Sequence, residues 1–231
     1  MVDGVSGYSS GEVFFGEGLP VRTWYLKRYA GVSEDGQALY YKKNSETGEV
    51  TTTTDYSQAT YSLCGSALPK MFGGINTSFR CYGFDLNAQF NYSIGGKKWD
   101  WAYMGMMTPP YNSIVGSQKH KDVFKAWSPE NPTSDIPRWQ YNDLYAASSS
   151  DRWLTDASYI TFKNLSVGYT FPKSLASRLK MSKLRVYAVA ENIAYWTKRK
   201  GFDPRFDSFY GVYAGSFFPM RTISGGLSVE F

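Results

Sequence analysis

From Phe84 the chain alternates without a break. Phe84, Leu86, Ala88, Phe90, Tyr92 and Ile94 fall on one parity, and Asp85, Asn87, Gln89, Asn91 and Ser93 on the other. A period of two assigns each side chain to one face of a β-strand. The preceding run does the same, with Ile75, Thr77, Phe79 and Cys81 against Gly74, Asn76, Ser78 and Arg80. Tyr82 and Gly83 stand at the joint, where glycine allows a tight turn. Residues 69–95 therefore read as a hairpin with one aromatic and aliphatic face and one polar face. Strands of soluble proteins commonly have about 5–6 residues, whereas a tilted strand crossing a bilayer needs about 9–11. The run from Phe84 to Ile94 meets the longer requirement. Two architectures share this pattern: a transmembrane β-barrel, whose apolar face meets lipid, and a soluble sandwich, whose apolar face meets a second sheet.

Three more strands are expected within 157–231. Tyr159 to Phe171 carries Leu165, Val167, Tyr169 and Phe171 against Ser166, Gly168 and Thr170, but Ile160 and Phe162 sit on the opposite parity. Either a bulge near Asn164 causes that slip, or the first half of the strand lies above the bilayer, where facing is relaxed. Pro172 stops the strand, and Lys173 to Ser182 reads as a basic connector. Leu184 to Ala194 has Leu184, Val186, Ala188 and Ala190 on one parity, yet Tyr187 and Val189 on the other, so its facing stays open. The last strand alternates Ile223, Gly225, Leu227, Val229 and Phe231 with Thr222, Ser224, Gly226, Ser228 and Glu230.

The remainder reads as connections. Residues 1–68 form a loop region with one short hairpin, built from Arg22 to Tyr29 and Gln37 to Lys43. Residues 96–156 form one long irregular loop holding Pro109, Pro110, Pro129, Pro132 and Pro137, and a second loop runs from Tyr195 to Pro219. Short connections at Tyr82-Gly83 and after Phe171 thus alternate with long ones. Transmembrane barrels obey this rule, with short periplasmic turns and long extracellular loops. A sandwich has no reason to. The expected fold is all-β: antiparallel amphipathic strands forming part of a large transmembrane barrel.

Composition agrees. The 231 residues include 19 Tyr, 15 Phe and 7 Trp, a load that fits aromatic girdles at both membrane interfaces and is shared by sugar-binding β proteins. Mean hydropathy is negative, and no run of about 18 apolar residues offers a spanning helix. No signal peptide follows Met1, so a barrel reading implies a chain that begins inside a longer protein. Cys64 and Cys81 form no disulfide framework and are expected free. The net charge of +5 gathers at strand ends, in Lys97-Lys98, Lys119 to Lys121, Lys173 to Lys183 and Lys198 to Lys200. This rim suits acidic lipid headgroups or plain solvation. No nucleic-acid-binding motif accompanies it, so a nucleic-acid partner is not expected.

Several segments, in order, resemble the SusC/RagA-type TonB-dependent outer-membrane transporters of Bacteroidetes. They are "EGLPVRTWYLKRYAGVSEDGQALYY" from Glu17, "LPKMFGGINTSFRCYGFDLNAQFNYSIGGKKWDW" from Leu68, and "AWSPENPTSDIPR" from Ala126. "SDRWLTDASYITFKNLSVGYTFP" from Ser150, "LRVYAVAENIAYWTKRKGFDP" and "FPMRTISGGLSVEF" complete the set. Thr161-Phe162 depart from the family's usual Arg-Leu. The resemblance covers nearly the whole chain and implies the C-terminal portion of such a barrel, with the plug domain and most strands absent. About five spanning strands are expected here, whereas plugged transporters have 22. Open edges in lipid cost several kcal/mol per unpaired group, so the chain is not expected to transport anything alone.

The resemblance implies import of oligosaccharides or peptides. It implies a SusD-like lipoprotein lid, TonB acting through the missing N-terminal part, the rest of the barrel and plug, outer-membrane lipid, and barrel-assembly machinery that reads Phe231. It places Asp85, Asn87, Gln89 and Asn91 on the lumen wall. Trp99, Trp101, Tyr103, Trp127 and Trp139 fall at the extracellular mouth as ligand or partner contacts. For any one of these rings, interfacial or loop packing outweighs ligand contact. The competing reading is a soluble aromatic-rich β-sandwich that binds carbohydrate. An enzyme is disfavoured: His120 is the sole histidine, and no triad, metal cluster, P-loop or cofactor motif surrounds it. Asp203 and Asp207 read as solvated loop charges rather than a glycosidase pair. No cofactor is expected.

Overall fold

A computed structural model describes residues 2, 4–111, 118–199, 201–205 and 219–231. Strands among them are β1 (Gly7–Ser10), β2 (Val13–Gly16), β3 (Thr23–Lys27), β4 (Tyr29–Val32), β5 (Ala38–Lys43), β6 (Val50–Thr53) and β7 (Tyr61–Ser66). They continue as β8 (Met71–Cys81), β9 (Phe84–Ile94), β10 (Lys97–Trp99), β11 (Leu154–Asp156), β12 (Tyr159–Thr170), β13 (Lys183–Thr197) and β14 (Thr222–Glu230). Two short helices are α1 (Trp101–Met107) and α2 (Lys173–Arg178). No helix among the described residues is long and apolar enough to cross a membrane. The chain divides into two compact units: one within 1–68 and 96–156, the other within 69–95, 157–205 and 219–231.

The second unit is one antiparallel sheet in the order β14-β13-β12-β9-β8. Its register brings like parities together. Phe84 stands between Cys81 and Tyr169, Leu86 between Phe79 and Val167, and Ala88 between Thr77 and Leu165. Beyond them, Val186 faces Leu227 and Ala190 faces Ile223. This settles the facing of β13: Leu184, Val186, Ala188 and Ala190 share the apolar face, and Tyr187 and Val189 lie on the polar one. Of the two readings of the slip in β12, the bulge is present. Against β9, Lys163 is the extra residue between Phe162 and Asn164. Across the same break β13 inserts Asn192 and Ile193, with Asn192 at φ 51°, a left-handed conformation that asparagine tolerates. The basic connector after Pro172 contains α2.

Along the apolar face, aromatic rows bracket an aliphatic band. Phe84 packs on Tyr169 with centroids 4.5 Å apart at one end, and Phe90 stacks on Phe162 at 4.5 Å toward the other. Tyr92, Ile160 and Trp196 extend the second row, while Leu86, Val167, Ala188, Ala88, Leu165 and Ala190 lie between. From the level of Phe84 to that of Tyr92 is about 26 Å along a strand, or about 20 Å along the normal at a tilt of about 40°. Two girdles at that separation match the apolar belt of an outer-membrane barrel, which is about 25 Å tall. Phe79 is 61 % exposed and Ile223 75 %, so the described residues of this unit leave the face uncovered. The sandwich reading requires a cover.

The first unit is more ordered than its sequence suggests. Residues 1–21, expected as loop, hold the β1–β2 hairpin, with Val13 and Phe14 buried. The hairpin expected from Arg22 to Lys43 is divided. Thr23–Lys27 joins the sheet β1-β2-β3-β7, whereas Tyr29–Val32 pairs with β5 in the sheet β4-β5-β6. Residues 44–66, also expected as loop, supply β6 and β7. The long irregular loop contains α1, several short 3₁₀ turns, and a β10–β11 ladder that ties Lys97–Trp99 to Leu154–Asp156. Trp24, Leu26, Cys64, Trp99, Met107, Ala147 and Trp153 form its core, and Ala38, Tyr40 and Ala59 a second cluster. β1, β2, β6 and β7 escaped notice because strands of four to six residues are too short for a period of two to stand out.

Burial raises the Cys64 thiol to about 11, leaving about a hundredfold less thiolate at pH 8 than an ordinary thiol carries. With Cys81 replaced by alanine, Cys64 should resist a water-soluble disulfide reagent at pH 8 until denaturant is added. Rapid labelling of the folded chain would contradict this core.

Candidate functional site

The polar face of the sheet is the candidate site. It exists because alternation sends every second side chain of β8, β9, β12, β13 and β14 to one side. Asn91 stands beside Gly74 and Thr161, Gln89 beside Asn76 and Asn164, Asn87 beside Ser78 and Ser166, and Asp85 beside Arg80 and Gly168. The four lumen-wall residues expected from sequence therefore share one surface. Their neighbours Asn76, Ser78 and Asn164 complete it. Asn76, Ser78, Asn87, Gln89 and Asn164 line a shallow groove of about 250 Å³. Among the described residues their side chains have no hydrogen-bond partner, so their donors and acceptors are turned outward for whatever fills that side.

Asp85 differs from the amides. Its carboxylate accepts from Arg185 Nη2 at 2.6 Å and from Nε at 3.2 Å. Gly168 lies beneath this fork, where a Cβ would fall 2.7 Å and 2.8 Å from the two Asp85 carboxylate oxygens. The Arg185 guanidinium also lies 5.2 Å from the Tyr187 ring centre, and the Tyr187 ring covers Gly226. Asp85 is thus neutralised and pinned. Arg80, opposite it, lines a second concavity near the Tyr82-Gly83 turn with Thr170, Lys183 and Arg185. Arg185 was missed because its partner lies two strands away, and parity reports a face but not a neighbour.

The five aromatics assigned to the mouth lie in the first unit, and they do not form one surface. Trp99 is fully buried. It stacks on Trp101 at 4.6 Å and tilts against Trp24 at 5.9 Å. Both faces of its ring are taken up by neighbours, so Trp99 is a core residue of the first unit. The half-buried Tyr103 meets His120 edge-on at 4.9 Å and donates from its hydroxyl to Asp122 Oδ2 at 3.1 Å. Lys125, then burial, Tyr103 and His120 act on Asp122, and the net effect holds its carboxyl below the usual range. Trp127 is half-buried against Gly36. Trp139 is half-buried with Lys119 Nζ 5.5 Å from its ring.

Two other sequence readings meet the structure here. Asp203 is fully buried and takes three hydrogen bonds from the side chain of Arg205, between 2.6 and 3.1 Å. It is not the solvated loop charge expected, because Arg205 two residues on supplies the charge that makes its burial tolerable. Asp207 lies outside the described residues. No cluster of metal-binding side chains occurs among the described residues. Phe231 follows β14 and is 91 % exposed, beyond the Lys183–Glu230 ion pair at 2.9 Å.

Comparison with known proteins agrees with this geometry. No family model matches the chain. It is 28 % identical to TonB-dependent receptor P3 of Formosa agariphila over 93 % of its own length and 22 % of that protein's. It is 27 % identical to TonB-dependent receptor P26 of the same organism over its whole length and 24 % of the relative. Among solved structures it is similar to the RagAB peptide transporter, with a TM-score of 0.78 and 25 % identity over 97 % of the chain and 24 % of that one. The closed-closed state of the RagAB peptide importer gives a TM-score of 0.81 and 26 % identity over 99 % and 25 %. The chain therefore spans about a quarter of the length of the proteins it matches.

Proposed function

We propose that this chain is the C-terminal stretch of the barrel wall of a TonB-dependent outer-membrane receptor of the RagA type, the class of protein it is similar to along nearly its whole length. The observation that carries the proposal is the sorting of faces. Apolar rows with aromatic girdles face lipid, and the amide-rich face with Asp85, Asn87, Gln89 and Asn91 faces the lumen. Strands β8 and β14 expose the edges to which the remaining strands and the plug-bearing part attach. The complete protein imports oligosaccharides or peptides, drawn by TonB through its N-terminal part, with a SusD-like lipoprotein over the mouth. The chain's own contribution is passage and containment rather than chemistry. Phe231 serves the barrel-assembly machinery.

The test uses the complete transporter in cells lacking their own copy. Asn87→Trp and Gln89→Trp should narrow the lumen and reduce energised uptake several-fold at unchanged surface level, while Leu86→Trp should leave uptake intact. Equal uptake by all three would overturn the lumen assignment.

A further inference from the structure

The short-connection end of the five-stranded sheet carries a cluster that the lumen reading leaves unused. Phe171, the last aromatic of the apolar face there, meets Tyr169 edge-on at 5.0 Å, and α2 begins two residues later. Of its six residues only Ala176 is buried. Leu175 and Leu179, four apart and so neighbours on one side of the helix, are 41 % and 53 % exposed. Lys173, Arg178 and Lys180 flank them. No acidic residue occurs between Asp156 and Glu191. Lys183 pairs with Glu230 and Arg185 with Asp85, but the side chains of Lys173, Arg178 and Lys180 have no partner among the described residues. Two backbone positions at this end hold a shape that their residues resist. Lys180 N–H donates to Ser177 O and Met181 N–H to Ala176 O, both at 3.0 Å. This Schellman turn closes α2 and sets Lys180 at φ 55°, where glycine is usual. Tyr82, 96 % exposed, stands at φ 48° in the two-residue turn between β8 and β9, a position that favours asparagine. Gly83 O accepts the Thr170 N–H at 2.8 Å, so that turn lies beside the start of α2. Backbone strain of this kind collects where the side chain has a use.

We propose that Lys173, Arg178 and Lys180, with Leu175, Leu179 and Tyr82, dock on anionic phospholipid headgroups of the leaflet at the short-connection end. Charge and continuity identify the occupant. Three unpaired cations within eight residues of chain meet a layer of phosphodiesters that supplies an anion to each. The two leucines follow directly on the aromatic row of Phe84, Tyr169 and Phe171, so the boundary that receives those rings also receives them. The long Lys and Arg stems lie along that boundary and lift their charges to the phosphates. The Tyr82 ring, apolar with a polar tip, suits the same depth. A free anion would satisfy the cations and leave both leucines in water. The proposal rests on the barrel reading for the presence of a membrane and adds the lipid charge that this end selects.

The test uses the complete transporter in phosphatidylcholine nanodiscs, in the Cys81→Ala background, with a bimane fluorophore on Ser177→Cys. A nitroxide high on the acyl chain is carried by phosphatidylglycerol or, separately, by phosphatidylcholine at equal mole fraction. Quenching by the anionic lipid should exceed quenching by the zwitterionic one by about tenfold, and added salt should reduce that preference. Lys180→Gly relieves the left-handed turn, so it should lower the preference about two- to threefold without lowering the urea midpoint of the barrel. Lys173→Gln and Arg178→Gln combined with Lys180→Gly should bring the two lipids level. Arg80→Gln removes the same charge from the polar face at the same end and should change nothing. Inorganic phosphate at constant ionic strength should not compete. Equal quenching by both lipids, a preference kept by the triple variant, a loss with Arg80→Gln as large as with Lys180→Gly, or competition by phosphate would each overturn the proposal. Quenching by neither lipid would overturn the barrel reading with it, whereas equal quenching leaves that reading standing.

Discussion

Val167→Arg should cost the assembled barrel about 2–4 kcal/mol, whereas Ser166→Arg, one residue away, should cost less than about 1 kcal/mol. Val167 lies on the apolar face between Leu86 and Ala188, in the aliphatic band midway between the aromatic rows. A guanidinium there sits at the depth where snorkelling to either interface is longest. Ser166, between Asn87 and Val189, points to the wet face and exchanges one polar group for another. The measurement is the urea midpoint of the complete transporter in lipid vesicles, read from the mobility shift between folded and unfolded barrel. Equal costs for the two substitutions would remove lipid from the apolar face and return the sheet to a soluble context.

The contrast between adjacent residues also shows what sequence could reveal. On four of the five long strands, β13 excepted, facing was legible because one side must be apolar and the other polar over nine or more residues. A single mistake in register would have scrambled it. Even the slip at Ile160 and Phe162 had a bulge near Asn164 as one of its two readings. Tyr187 stayed ambiguous in sequence because it is an aromatic on the polar side. The structure shows why it is needed there, as its ring covers Gly226 and adjoins Arg185. The first unit was nearly illegible. Its strands have three to six residues, too few for periodicity to emerge, and β3, though read as β-prone, is buried on both sides. Its core gathers Trp24, Trp99 and Trp153 from segments far apart in the chain, a convergence that no local pattern encodes. The candidate site divides the same way. Asp85, Asn87, Gln89 and Asn91 could be read from parity, but the Asp85–Arg185 fork depends on which strand lies next to which.

Trp99→Ala separates the two roles that a tryptophan near a transporter's mouth can have. As a fully buried member of the first unit's core, it should lower that unit's stability by about 3–5 kcal/mol on truncation. The transfer of a large aromatic is lost, and a cavity opens against Trp24 and Trp101. Cys64 belongs to the same cluster, so it reports the loss. In a Cys81→Ala background, its labelling under native conditions should accelerate by on the order of a hundredfold or more, because each 1.4 kcal/mol of opening free energy is about tenfold in the open population. Phe124→Ala is the control. Phe124 is 94 % exposed, and its truncation should leave the labelling rate within about twofold. A ligand-contacting Trp99 predicts the reverse: an unchanged Cys64 rate with a selective loss of saccharide or peptide binding. The geometry favours the core role, since an indole stacked on one neighbour and tilted against another inside a closed cluster has no face free to meet a solute.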